Sequence, residues 1–192
     1  MAVSEAFRAS VTRVMLPAWF REYADTPTLA SEVRFEFEFE GATVTGFIDR
    51  VGAIKSGGTQ ITDYKTGKAR DARADDNLQL GIYYLAVNHA EELERFRPVK
   101  AVELAFLKDL RNGEIKRVQL GLNTQAQQEY EAEMSARLAG LVGRLRGLQE
   151  MDVYRPDPRA QCRYCDFKTL CPLWPEGREL FPQSVERVET AS

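Results

Sequence analysis

Apolar and polar residues alternate over residues 32–40. Val33, Phe35, Phe37 and Phe39 face one way, and Arg34, Glu36, Glu38 and Glu40 the other. That is the period of a strand with one buried and one wet face. Gly41 marks a turn, and residues 43–54 read as the returning strand. Ser56, Gly57 and Gly58 make the next turn, and residues 59–65 a third strand ended by Thr66 and Gly67. Three consecutive strands with short turns predict an antiparallel meander. Upstream the period is helical: Phe7, Val11, Val14, Met15, Ala18 and Trp19 repeat within residues 4–23, where Pro17 is expected to kink the helix. Residues 24–31 read as a loop.

Helical spacing returns at Leu78, Leu80, Ile82, Tyr83, Leu85 and Ala86. It predicts a helix from about Asp75 to Ala90, with Asp75 and Asp76 favourable at its start. Residues 99–108 and 114–120 read as a second hairpin turning at Asn112-Gly113. A long helix is expected over 123–149, capped by Asn123 or Thr124. Its apolar stripe is Tyr130, Met134, Leu138, Leu141, Leu145 and Leu148. Pro156 and Pro158 open a loop toward the cysteines, and the tail after Pro175 reads as irregular. This order predicts an α/β fold, a mixed β-sheet of about five strands flanked by helices.

Composition agrees with an ordinary globular chain: 44% hydrophobic and 29% charged over 192 residues, enough to bury a core without disulfide staples. Disorder and collagen-like repeats are excluded as whole-chain descriptions. The net charge of −3 is too mild to name a partner, and residues 1–50, with 5 basic and 8 acidic side chains, carry all of it. No stretch has the length and apolarity of a membrane span, and the first helix carries charges where a signal peptide has an apolar core. The expected location is therefore the cytoplasm. The three cysteines all fall between Cys162 and Cys171. An odd, compact set suits a metal or cluster site in a reducing compartment better than disulfides.

The chemistry concentrates in Gly46-Phe47-Ile48-Asp49-Arg50 and Ile61-Thr62-Asp63-Tyr64-Lys65-Thr66-Gly67. Asp63 and Lys65 point to one face of a strand, where core residues are expected, and Asp49 on the adjacent strand can reach Asp63. Converging carboxylates repel unless a cation lies between them. Mg²⁺ commonly takes one or two carboxylates plus water and substrate phosphate. A neighbouring lysine adds positive charge for a phosphate oxygen or a water nucleophile. These are the parts of a metal-dependent phosphodiesterase. The other reading of the same spacing is a surface salt bridge between Asp63 and Lys65 on a wet strand face.

GFIDR followed by ITDYKTG resembles the core motifs of the PD-(D/E)XK nuclease superfamily, most closely the RecB-type nuclease domains of bacterial helicase–nucleases. The resemblance implies a restriction-endonuclease-like core, with Asp49, Asp63 and the backbone carbonyl of Tyr64 binding Mg²⁺ or Mn²⁺. Lys65 would orient or activate the attacking water. Gln79 and Tyr83, four residues apart on one helix face, match the family's glutamine–tyrosine motif and are expected beside the metal. Glu32 matches a recurrent family glutamate. Two departures stand out. Gly52 occupies the place of a second acidic residue, and the upstream metal-binding histidine is missing. The single histidine, His89, reads as a surface group at a helix C-terminus.

Cys162, Cys165 and Cys171 have spacing that suits zinc or an iron–sulfur cluster, both of which want four ligands. They resemble the C-terminal cysteines of AddB-type iron–sulfur nucleases, which implies a [4Fe-4S] cluster closed by an upstream cysteine that this chain lacks. Both missing upstream elements are consistent with a C-terminal fragment of a larger protein. Its nuclease core would span 1–155 and its cysteine-containing segment 156–192.

The implied activity is Mg²⁺-dependent deoxyribonuclease action, exonucleolytic rather than endonucleolytic, on single-stranded DNA ends. The implied partner is a helicase domain or subunit, in recombination and double-strand-break repair on the bacterial nucleoid. The alternative is a catalytically inactive nuclease-fold module for DNA binding or subunit docking. Candidate phosphate contacts are Lys68, Arg70, Arg73, Lys108, Arg111, Lys116 and Arg117, with Arg155, Arg159, Arg163 and Lys168 near the cysteines.

Overall fold

Chain order becomes sheet order. In the computed structural model, five strands lie side by side in the sequence β1-β2-β3-β4-β5: β1 Thr28–Phe39, β2 Ala42–Ala53, β3 Thr59–Lys65, β4 Val99–Arg111 and β5 Glu114–Gly121. All neighbours are antiparallel except β3 and β4, which run parallel. Parallel neighbours need a crossover, and α3 (Leu78–His89) supplies it. The expected mixed five-stranded sheet with helices is the observed fold. The structure describes residues 5–151, 162, 165–171, 173 and 174. The chain forms two compact units, residues 1–143 and 144–192.

The turns follow their residues. Glu40-Gly41 and Asn112-Gly113 all have positive φ, as the two-residue turns that match strand twist require. Strand β1 starts at Thr28, inside the segment expected to be a loop. Thr28, Leu29, Ala30 and Ser31 have no alternation to announce a strand. They are held by β2, Ala30 opposite Val51 and Ser31 opposite Arg50, with Ala53 N–H donating to the Pro27 carbonyl at 2.8 Å.

The first helix is continuous in direction but not in hydrogen bonding. Segment α1 (Glu5–Ser10) passes through a π-helical turn, Val11–Met15, into α2 (Leu16–Tyr23). Leu16 N–H reaches back five residues to the Val11 carbonyl. Pro17, which has no N–H to give, follows that wider turn. Helix α3 begins later than its acidic residues suggested. Asn77 caps it, Oδ1 accepting from Leu80 N–H at 2.9 Å, while Asp75 and Asp76 pair with Arg73 and Arg137. Asn123 caps α4 (Thr124–Met151) in the same way through Ala126 N–H. The buried stripe of α4 is Tyr130, Met134, Leu138 and Val142; Leu145 is exposed.

Each face of the sheet has its own core. Ile61, Leu104 and Phe106 pack with Phe35, Ile48 and the buried face of α3, and Tyr130 and Met134 of α4 pack there too. The adjacent positions Tyr64 and Ala105 pack with Ala18, Trp19 and Tyr23 of α2. The α2 side also buries a polar layer. Glu103 is fully buried and accepts from Tyr23 OH at 2.7 Å, Thr62 Oγ1 at 3.2 Å and Arg117 Nη1 at 3.3 Å. Burial, acting against these donors, raises its pKa above the ordinary 4.5.

A raised folded-state pKa means the native state holds its proton to higher pH than the unfolded chain does. The associated stability is present below about pH 4.5 and is lost as pH rises through the folded value. Glu103→Gln keeps an acceptor and removes the charge. Its melting temperature relative to the parent chain should therefore climb between pH 4 and 7. A difference that stays flat across that range would show that Glu103 does not carry this cost.

Arg50 is 1% exposed and has no carboxylate partner among the described residues. Its Nε donates to Thr28 Oγ1 at 3.0 Å, Nη2 donates to the Thr26 carbonyl at 3.1 Å, and Cζ lies 4.7 Å from the centre of the Tyr23 ring. A Cβ on Gly52 would meet Arg50 Nη1 at 2.5 Å. The glycine that stands where an acidic residue was expected is thus what makes room for the guanidinium.

Candidate active site

The site forms where two strands part. The β2–β3 ladder ends at Arg50 opposite Thr62. Beyond that pair, Tyr64 N–H donates to the Asp49 carboxylate, Oδ2, at 2.7 Å. A side chain thus takes a bond that the backbone of β2 would otherwise accept, and it fixes one oxygen of Asp49 at the end of β3. On the other side of Tyr64, Trp19 Nε1 donates to its hydroxyl at 2.7 Å, tying α2 to the same strand.

Asp63 is 1% exposed. Lys65 Nζ lies 2.6 Å from its Oδ2, a charge-assisted contact, and this buried oxygen has no other partner among the described residues. Burial pushes the Asp63 carboxyl up from its ordinary value, Lys65 pulls it back, and the Asp49 charge pushes it up again. This buried carboxyl thus carries a desolvation cost that Lys65 offsets only in part, beside a second carboxylate.

Lys65 Nζ also donates to Gln79 Oε1 at 2.7 Å, and Gln79 Nε2 donates to Tyr83 OH at 2.7 Å. The chain Asp63–Lys65–Gln79–Tyr83 therefore crosses from the sheet to the first two turns of α3. Tyr83 is buried against Phe35, ring centres 5.9 Å apart. Burial raises its phenol pKa, and the charges of Asp63, Asp49 and Glu32 raise it further. The phenol accepts from Gln79, so its own proton remains to be donated. Glu32 sits at a break in the β1–β2 pairing, between Ser31 opposite Arg50 and Val33 opposite Ile48, and has φ 50°. Left-handed backbone in a glutamate within a strand is unusual.

Other expected residues lie elsewhere. His89 ends α3, stacked on the Phe37 ring at 6.0 Å and 3.8 Å from Glu131. Arg73 is paired with Asp75, and Arg117 with Glu22 and Glu103, so both are occupied internally. Lys108 lies over the Phe7 ring and Lys168 over Trp174. Arg155, Arg159 and Arg163 fall outside the described residues. Sequence reasoning missed Trp19 and Arg50, since apolar periodicity covers the first and the position of the second gives no sign of burial.

Cys162, Cys165 and Cys171 are free thiols, Cys165 exposed and the other two half-buried. Among the described residues, no group of three or more His, Cys, Asp or Glu side chains is placed to hold a metal ion. The expectation of a [4Fe-4S] cluster finds no support, because three thiols fall short of the four ligands it needs. No helix among the described residues is long and apolar enough to cross a membrane.

The family model of the PD-(D/E)XK nuclease superfamily matches residues 2–172. Two phage proteins, each called Gene 69 protein, are similar over shorter stretches. That of Mycobacterium phage L5 is 39% identical over 70 residues, covering 36% of this chain and 22% of the phage protein. That of Mycobacterium phage D29 is 43% identical over 60 residues, 31% of this chain and 20% of its own. The chain thus matches only about a fifth of the length of either relative. A solved structure, that of SSO0001, aligns over 89% of this chain and 72% of its own, with TM-score 0.44 and 18% identity.

Proposed function

Because this chain belongs to the PD-(D/E)XK nuclease superfamily, we propose that it hydrolyses phosphodiester bonds of DNA with a divalent cation held by Asp49 and Asp63. The observation that carries this reading is the buried Asp63 carboxylate, whose Oδ2 has only the Lys65 ammonium beside it and whose pKa stays raised next to Asp49. The charge of Asp49 beside this carboxylate is a repulsion that a hard cation held by both would relieve. Two carboxylates suit Mg²⁺ or Mn²⁺, which would complete their shell with water and substrate phosphate, and the Tyr64 carbonyl is a further candidate ligand. When bound, the cation polarises the phosphoryl oxygen and lowers the pKa of water.

The chain's own residues do the rest. The Lys65 ammonium places positive charge where the phosphate gains negative charge, and it holds the attacking water against Asp63. Gln79 fixes Lys65 from α3, so that the ammonium is held from two elements rather than one. Tyr83, kept protonated, offers its O–H to the substrate or to water. Trp19 and Asp49 hold Tyr64 and hence the end of β3.

The finer reading is a RecB-type module that degrades single-stranded ends beside a helicase. Its support is the order of GFIDR, DYK and Gln79-x₃-Tyr83 in one stretch of sequence. A labelled single strand incubated with the chain and Mg²⁺ or Mn²⁺ tests the main reading. Cleavage should occur, stop with EDTA, and fall by about 10²–10³-fold in Lys65→Ala. No cleavage with either metal, or Lys65→Ala as active as the parent, would overturn it.

A further inference from the structure

Beyond the end of β3, the strand that carries Asp63 and Lys65, the chain builds a second feature. Strand β4 runs parallel to β3, Lys65 opposite Phe106, and continues past it to Arg111. Its pairing with β5 is broken between Phe106 and Leu110. Bulges of this kind re-aim side chains and concentrate beside functional sites. From that break Asp109 accepts the Ala69 N–H at 3.0 Å, Oδ2 to N. The loop after β3 is thereby pinned to β4. Between the two lies a cavity of about 470 Å³ lined by Lys68, Ala69, Arg70, Asp71, Asp109 and Arg111.

Among the described residues, Lys68, Arg70 and Arg111 have no ion-pair, hydrogen-bond or ring partner through their side chains. Nearby cations are engaged: Arg73 with Asp75, Lys108 with Phe7, Arg117 with Glu103. One of the two carboxylates in the cleft, that of Asp109, is already bound to backbone. Three cations without side-chain partners among the described residues, two on a loop held in place and one at the end of β4, line one cavity and suit an anion with several oxygens.

We propose that this cleft binds a backbone phosphate of the DNA strand, next to the scissile one, and so sets how the strand lies across Asp49 and Asp63. The proposal rests on the nuclease reading for the identity of the strand but not for the binding itself. Arg and Lys at such a position grip phosphate and read no base. The ligand is a single strand's phosphodiester, and the loop after Lys65 links its position directly to the lysine.

The test is anisotropy of a fluorescein-labelled oligothymidylate with the full chain in EDTA, where no cleavage occurs. Lys68→Ala/Arg70→Ala/Arg111→Ala should weaken binding about tenfold or more at low salt. It should also flatten the plot of log affinity against log salt by about 0.7 per lost contact. Asp71→Asn, which removes the one uncommitted carboxylate in the cleft, should tighten binding. Lys55→Ala makes the same kind of charge change in the turn at the opposite end of β3 and should alter nothing.

Parent-like binding by the triple variant, an equal loss in Lys55→Ala, or no binding by the parent chain would each overturn the proposal. Cleavage by the parent, measured alongside, separates the two ideas. Cleavage with unaltered binding by the triple variant removes the cleft alone. Loss of binding without any parent cleavage removes the nuclease reading alone.

Discussion

Asp63→Asn is expected to lower metal-dependent cleavage by about 10³-fold or more and, in EDTA, to raise the melting temperature. Both effects come from one carboxylate. Asp63 is buried next to Asp49, and the Lys65 pair at its Oδ2 does not restore its ordinary pKa. Asparagine has nearly the same shape and no charge, so it relieves a burial cost of roughly 1–2 kcal/mol. For a chain of this size each kcal/mol shifts the melting point by about 2–4 °C.

Lys65 is a third exposed and keeps Gln79, so losing its partner does not strand it. Adding Mg²⁺ should then stabilise the parent chain, by about 2.7 kcal/mol at a hundredfold excess over Kd, and leave the variant unmoved. Calorimetry with and without metal checks this. An asparagine variant that melts below the parent in EDTA would show that the native state holds this carboxylate at no cost.

Gly81→Val should destabilise the chain by roughly 2–3 kcal/mol, a large share of the 5–15 kcal/mol typical of a domain. Helix propensity argues the other way for a smaller replacement, since alanine gains about 1 kcal/mol over glycine in a helix interior. Packing decides the sign. A Cβ on Gly81 would sit 2.3 Å from Met134 Sδ, 2.6 Å from its Cγ and 3.1 Å from its Cβ. Met134 is fully buried and cannot swing into solvent.

Gln79 and Tyr83 flank Gly81 on α3, so pushing the helix off the sheet also moves Gln79 from Lys65. A misplacement of about 1 Å costs on the order of 10²-fold in rate. Urea melts of Gly81→Val, Met134→Ala and the double variant would show the coupling. The double variant should lose less than the sum of the singles, by about 0.5–3 kcal/mol. Strict additivity would mean that the two side chains do not share this space.

Much of the sheet could be read from residues because its signals are local. Phe35, Phe37 and Phe39 alternate with charge, and Asn112-Gly113 can hardly be anything but a tight turn. The motif order also placed Asp49, Asp63, Lys65, Gln79 and Tyr83 near one another, and the structure brings Lys65, Gln79 and Tyr83 into one hydrogen-bonded chain with Asp63. What escaped depends on partners far along the sequence. Residues 28–31 are strand only because β2 is beside them. The burial of Arg50 follows from the absent side chain of Gly52 and from Tyr23 above it. Asp75 and Asp76 suit a helix start by charge, yet Asn77 won because its side chain reaches the Leu80 amide. The polarity of β4 against β3 could not be read from either strand.

Among the described residues no later strand is inserted between two earlier ones, and this matters for a chain made from one end. Each strand leaving the ribosome finds its neighbour already in place at an open edge, so the sheet can grow by addition alone. The one pause falls after β3. At about 5–20 residues per second, a few seconds pass before β4, starting at Val99, arrives to cover that edge. Asp63 lies on β3, and α3 and β4, which pack against that strand, both follow it in the chain, so its burial waits on residues made later.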